Sequence, residues 1–137
     1  MDYNVVHVII ALKKAGYRIL AFTDGMPQRV EELDRRYAFR KLGLFDAEVQ
    51  SYVHGSCKVS VQLSNKLLEA AHCTECPEAL LLVDDRPEDL VVARSVGISA
   101  LVYEHENTRK LVRQLCTLGI LDETTAQGLG DIKARLQ

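Results

Sequence analysis

One ten-residue stretch restricts this chain more than any other. Leu80-Leu81-Leu82-Val83 is a short apolar run that ends abruptly in two adjacent carboxylates, Asp84 and Asp85, followed by Arg86, Pro87, Glu88 and Asp89. An apolar run of this length, bounded by turn residues, reads as a strand buried on both faces, the habit of parallel sheets. Pro87 suits the first turn of a helix, so the stretch predicts a strand, a tight turn and a new helix. Ligands of open α/β sheets bind outside the carboxyl ends of the strands. Acids crowded there repel one another unless a cation neutralises them. Hard oxygen donors suit Mg²⁺, which is commonly held by one or two carboxylates together with water and a substrate phosphate. A plainer reading is that the acids favour the N-terminus of the following helix. One acid is enough for that, so the metal reading is preferred.

The rest of the chain repeats the alternation of strand and helix. Val5, Val8, Ile9 and Leu12 recur at helical spacing, predicting an amphipathic helix over about 4–15, ended by Gly16. Arg18 to Phe22 reads as a buried strand running into Thr23-Asp24-Gly25. A helix from Pro27 to about Leu42 follows, with Val30, Leu33, Tyr37 and Leu44 turned inward, and Gly43 stops it. Ala47 to Val53 reads as a weaker strand and about Val59 to His72 as a helix. Ala79 to Val83 is the strand already described. A helix over Pro87–Val96 closed by Gly97, a strand over Ile98–Tyr103 and a helix over Thr108–Leu118 complete the alternation. The more polar end, from Gly119, has Gly128 and Gly130 and room for a short helix over Asp131–Leu136. Alternation of this kind predicts an α/β domain, three-layered and Rossmann-like, with a parallel sheet flanked by helices. The expected organisation is a core over residues 1–118 with an extension over 119–137.

Bulk properties exclude several function classes. At 137 residues the chain is long enough for a real core. A formal charge of −2 gives no general attraction to nucleic acid or anionic membrane. No run approaches the roughly 18 apolar residues of a membrane span. Met1-Asp2-Tyr3-Asn4 lacks the basic start of a signal peptide. Four cysteines do not make a disulfide framework in a chain of this size, so a reducing, cytoplasmic setting is expected.

Three loops that follow strands carry the polar residues chemistry needs. The first offers Thr23 and Asp24, the second Lys58, the third Asp84, Asp85 and Asp89. The Thr23 hydroxyl and the backbone N–H groups beside Gly25 can donate to phosphate oxygens. The Lys58 ammonium offsets charge on a phosphoryl group and on a nearby carboxylate. A metal bridges carboxylate and phosphate oxygens.

On these residues the chain resembles the haloacid-dehalogenase-like phosphohydrolase superfamily. The resemblance is carried by Ile19-Leu20-Ala21-Phe22-Thr23-Asp24-Gly25, by Lys58, and by the segment from Val83-Asp84-Asp85-Arg86-Pro87-Glu88-Asp89 through Ala93-Arg94 to Gly97. The last segment looks most like the branch with small-cap phosphatases and the phosphatase domain of soluble epoxide hydrolase. The resemblance covers about residues 5–118. It implies a Mg²⁺-dependent phosphohydrolase fold acting on a small phosphate ester. Thr23, Asp24, Gly25 and Lys58 would bind phosphate, with Asp24 standing where the branch often has asparagine. Asp85 would be the Mg²⁺ ligand. Asp89 would be its supporting acid or a partner of the lysine, and Asp84 would bind metal through water or orient the loop.

The family's reaction needs an aspartate nucleophile at the end of a central strand and a second aspartate two residues later. Here Asp2 is the only acid before Thr23, and no apolar run precedes it. The expectation is therefore that the chain begins after the nucleophile strand, with no catalytic residue of that kind and negligible turnover alone. In the family that strand lies between the threonine strand and the acid-pair strand. Without it, two edges expose unpaired backbone groups. They must close on each other, recruit a strand from another copy, or be completed by a missing N-terminal segment.

Two other readings stand beside the hydrolase. One is a non-catalytic relative, a pseudoenzyme kept as a phosphate- or Mg²⁺-binding or protein-interaction module. The other is a receiver-type signalling domain, which also gathers an acid pair, a threonine and a lysine around Mg²⁺. Its acid pair follows its first strand, whereas here the pair comes late. Cys73-Thr74-Glu75-Cys76 has the spacing of half a zinc site, but no second pair follows, so loop cysteines are the expectation. His54 precedes Lys58 in the same loop, a substrate contact on one reading and a solvated side chain on the preferred one. Cys57 beside Lys58 is placed for a lowered thiol pKa, but no base or oxyanion site accompanies it. The charges of 31–41 read as a solvent-facing helix surface.

Overall fold

The computed structural model describes residues 3–58 and 60–136. The elements run α1 (Tyr3–Lys14), β1 (Leu20–Thr23), α2 (Pro27–Tyr37), β2 (Ala47–Gln50), α3 (Ser51–His54), α4 (Val61–Ala71), a 3-10 turn (Pro77–Ala79), β3 (Leu81–Asp84), α5 (Pro87–Ser95), β4 (Ser99–Val102), α6 (Thr108–Thr117) and α7 (Glu123–Leu136). The fold is mixed α/β with small parallel sheets. Two compact units divide it: residues 20–103, and the segments up to Ile19 and from Glu104.

The unit of residues 20–103 holds all four strands. β1 pairs with β2 in parallel, from Leu20 opposite Ala47 to Thr23 opposite Gln50. β3 pairs with β4 in parallel, from Leu81 opposite Ser99 to Asp84 opposite Val102. The single sheet expected from the sequence is instead two separate two-stranded sheets. Among the described residues β1 and β3 share no ladder, so each has one edge without a strand partner. Side-chain packing rather than hydrogen bonding joins the pairs. Val49 from β2, Leu82 from β3, Leu63, Leu67 and Leu68 from α4, Leu90 and Ala93 from α5, and Ile98 form one apolar cluster. Leu20 and Phe22 of β1 and Ala100 of β4 pack against it. Leu63 and Leu90 are fully buried, and each such burial contributes about 1.5–3 kcal/mol.

Local chemistry sets the helix ends. The Ser60 hydroxyl accepts from the Leu63 N–H at 3.1 Å and caps α4. Pro87 opens α5 with Glu88 and Asp89 in its first turn. Gly97 then turns the chain at φ +94°, a conformation that favours glycine. α2 ends at Tyr37 rather than near Leu42, because Ala38 takes a left-handed conformation (φ 51°). Phe39 and Leu44 beyond it are buried. β2 stops at Gln50, and Ser51–His54 makes a helical turn where a longer strand was expected. Of the helix expected from Val59, residue 59 lies outside the described residues.

In the other unit α1 packs on α6 and α7, with Val6, Val8, Ile9, Leu111, Leu115 and Leu121 buried. The Asn107 side chain accepts from the Lys110 N–H to cap α6. The C-terminal helix is longer than the sequence suggests. It begins at Glu123, where the Asp122 carboxylate accepts from the Thr125 N–H at 2.7 Å, and runs through Gly128 and Gly130. No helix among the described residues is long and apolar enough to cross a membrane.

Candidate phosphate and metal site

Asp84 is delivered by the pleat of β3. Side chains alternate along a strand, so Leu82 and Asp84 share a face and both are buried, while Val83 between them is exposed. Leu82 enters the core, and Asp84 ends the strand at its carboxyl edge. Its Oδ1 accepts from the Arg86 N–H at 3.1 Å, which closes the turn into α5. Its Oδ2 accepts from Lys58 Nζ at 2.6 Å. Both oxygens are therefore engaged, and neither caps α5, whose N-cap position is Arg86 with no side-chain cap.

Lys58 reaches this carboxylate from the loop between α3 and α4. Its side chain is 13% exposed and its ammonium lies 5.3 Å from the centre of the Phe22 ring, within cation–π range. The same ammonium lies 4.0 Å from Asp89 Oδ2, too long for a hydrogen bond. In the first turn of α5, Asp89 is only 1% exposed, and neither of its carboxylate oxygens has a hydrogen-bond partner. The Thr23 hydroxyl at the end of β1 is likewise buried without a partner.

Two buried carboxylates share one ammonium, and their proton affinities separate accordingly. Burial pushes the Asp84 carboxyl up. The Lys58 hydrogen bond and charge, with the Arg86 N–H, outweigh it and hold Asp84 below the usual range. Burial raises Asp89 as well, the neighbouring Asp84 charge adds to that, and Lys58 only partly offsets them. Arg86 adds a second, longer-range offset, and Asp89 still stays above its usual range.

The structure brings Lys58, Asp84 and Asp89 together beside Phe22. Asp24 lies within electrostatic reach of Asp89 and Arg86, raising both. Asp24 and Asp85 are exposed. At Gly25 an added Cβ would meet only the Arg29 side chain, at 3.4 Å, so no crowding requires glycine there. Phe22 and the Arg86 N–H were not singled out by sequence reasoning. The one available signal was that Phe22 immediately precedes the candidate threonine on the same strand.

The donors present fit a hard cation. A buried charge must be paired, hydrogen-bonded or metal-bound, and the Asp89 oxygens have no donor. Among the described residues no three of His, Cys, Asp and Glu converge as a cage. Mg²⁺ commonly takes one or two carboxylates when water and phosphate complete its shell, and Asp84 and Asp89 are the two acids gathered around Lys58.

His54 ends α3 and is exposed, as is Cys57. Cys73 and Cys76 are free thiols. The Cys76 thiol donates to Glu78 at 3.0 Å, and that carboxylate raises its pKa, which disfavours the reactive thiolate.

No family model matches the chain. It is similar to an uncharacterized protein of Dictyostelium discoideum, 27% identical over 124 residues, a match covering 73% of this chain and 53% of that protein. The chain thus spans about half the length of the curated relative it matches.

Proposed function

We propose that this chain carries the phosphate- and Mg²⁺-binding half of a haloacid-dehalogenase-like phosphohydrolase core, a three-layered Rossmann-like domain, and that it binds a small phosphate ester without turning it over alone. The observation that carries the reading is the placement of Lys58 Nζ 2.6 Å from Asp84 and 4.0 Å from the unpartnered, buried Asp89. Mg²⁺ would be held by Asp84 and Asp89, with the exposed Asp85 supporting from the lip, and it would supply charge neutralisation of the phosphoryl oxygens. Thr23, the backbone around Asp24 and Gly25, and Lys58 would receive the phosphate. No Asp-x-Asp pair follows an apolar strand before Thr23, so no residue is assigned as nucleophile. The unpaired edges of β1 and β3 favour completion of the sheet by a further strand, from a longer polypeptide or a second copy. The free cysteines suit a reducing, cytoplasmic setting.

The test is calorimetric titration of the chain with Mg²⁺ in the presence of inorganic phosphate, beside a p-nitrophenyl phosphate assay. The reading requires saturable Mg²⁺ binding that is lost in Asp84→Asn and Asp89→Asn, with hydrolysis at background. No binding in the wild-type chain would end it. Turnover lost in those variants would instead mean that the chain has its own nucleophile.

A further inference from the structure

Lys58 touches the very carboxylates that a cation would need. Its ammonium donates to Asp84 at 2.6 Å, stands 4.0 Å from Asp89, and rests against the Phe22 ring at 5.3 Å. Its hydrogen bond is thus on the acid side of the site, and the Phe22 ring, one residue before Thr23, lies beside it. A phosphate bound at Thr23 would need the same ammonium. The Thr23 hydroxyl is buried without a partner, so the phosphate side lacks what the acid side has in hand.

From this competition, and resting on the site reading above, we propose that Lys58 is a built-in counter-ion that keeps divalent cations off Asp84 and Asp89 until phosphate draws it away. The chain then has two closed arrangements. In one, Lys58 is hydrogen-bonded to Asp84 and stands 4.0 Å from Asp89, and neither ligand is bound. In the other, Lys58 pairs with phosphate, and the released carboxylates take the cation. A positive charge leaves the acids only as another arrives, so neither arrangement strands two buried carboxylates. Cation and phosphate therefore favour each other, and the coupling is reciprocal: each raises the affinity for the other by the same factor.

Direct contact between a metal and a phosphate oxygen also couples the two ligands, so coupling alone does not identify the device. The sign of one variant does. Removing an ammonium that serves only the phosphate weakens phosphate binding and gives Mg²⁺ alone no gain, because a charge held away from the acids does not oppose the cation. If Lys58 occludes the acids, Lys58→Met binds Mg²⁺ alone more tightly than the wild type while losing affinity for phosphate.

The experiment is calorimetric titration of the full chain with Mg²⁺, with and without inorganic phosphate, for wild type and Lys58→Met. The expected result is at least a fivefold gain in wild-type Mg²⁺ affinity with phosphate, in line with about 5–150-fold for typical coupled sites. Lys58→Met should bind Mg²⁺ alone at least fivefold more tightly than wild type, with phosphate adding little. Equal or weaker Mg²⁺ binding by Lys58→Met overturns the counter-ion role and leaves the site reading intact. Absence of Mg²⁺ and phosphate binding in both proteins overturns both. Should Lys58→Met not fold, the ¹⁵N signal of the Lys58 ammonium in the wild type decides. Slow exchange with solvent that is lost on adding Mg²⁺ supports displacement, and a signal indifferent to saturating Mg²⁺ refutes it.

Discussion

Lys58 Nζ and Asp84 Oδ2 meet at 2.6 Å across 26 residues of chain, with 13% and 5% of their side chains exposed. The pair ties the α3–α4 loop to the end of β3. Its two members are not equivalent for stability. Without Asp84, Lys58 still has Asp89 at 4.0 Å and the Phe22 ring. Without Lys58, two buried carboxylates keep only the longer-range charge of the exposed Arg86 to offset them. Breaking a buried pair by removing one partner costs about 3–5 kcal/mol. Lys58→Met should fall in that range in metal-free buffer, and Asp84→Asn should cost about 1–2 kcal/mol, because the charge left behind keeps a partner. Urea denaturation followed by far-ultraviolet circular dichroism measures both. Equal losses would mean that Asp89 does not share the lysine.

Asp89 and Asp84 make opposite contributions to the pH dependence of stability. Asp84 is held below its ordinary value. The stability it contributes is present above the unfolded value of about 3.9 and is lost as pH falls through its folded value. Asp89 is raised. Its contribution is present below about pH 3.9 and is lost as pH rises through its folded value. Asp89→Asn removes that loss. With EDTA present to exclude metal, the variant should match the wild type near pH 4 and melt higher at pH 7. A variant that is less stable than wild type at pH 7 and equal at pH 4 would show that Asp89 is stabilising as the anion.

The acid segment was legible because its signals are local: an apolar run, a proline turn and carboxylates at fixed offsets. The strand–helix order followed from the same kind of reading. What escaped depends on contacts distant in sequence. Val53 continued an apolar pattern and drew β2 past Gln50, yet it is 63% exposed on a helical turn. Glycines at 128 and 130 argued for a break, but the Asp122 cap and the packing of α7 on α1 and α6 outweigh that preference. Arg40 read as one charge of a solvent face. In the fold it grips Glu48 through two nitrogens at 3.2 Å and Glu31 through a third, joining the loop after α2 to β2. The open edges of β1 and β3 agree with what the family resemblance implies for the sheet. That they would not close on each other did not follow, because it depends on how Phe22, Leu82 and the α4 leucines fill the shared core.

Gly97 offers a cleaner local test. Its φ is +94°, and an added Cβ would lie 3.1 Å from Pro77 Cβ, in the 3-10 turn that leads into β3. Gly97→Ala therefore meets backbone strain and a contact with a rigid ring together. The loss should be about 1–3 kcal/mol, read as a lower urea midpoint with an unchanged slope. The added methyl would meet only Pro77 and none of Lys58, Asp84 and Asp89, so binding of Mg²⁺ with phosphate should survive wherever the protein is folded. A variant as stable as wild type would mean that the turn and Pro77 move aside freely.

The unpaired edge of β3 predicts self-association. A strand edge with free N–H and C=O groups templates pairing with another chain, and natural sheets blunt such edges with charge. The one charge of β3, Asp84, is buried and paired with Lys58, and Val83 before it is 38% exposed. Sedimentation velocity over rising protein concentration should show a monomer passing to larger species. Val83→Lys should hold the monomer to higher concentration, since pairing would then bring like charges together between copies. Its melting temperature should stay within a few degrees, because a half-exposed surface position contributes about 0.5 kcal/mol or less. An association that is unchanged in Val83→Lys would place the contact elsewhere. A monomer at every concentration would mean that the β1 and β3 edges are shielded without a further strand, and completion of the sheet by a second copy would fall with it.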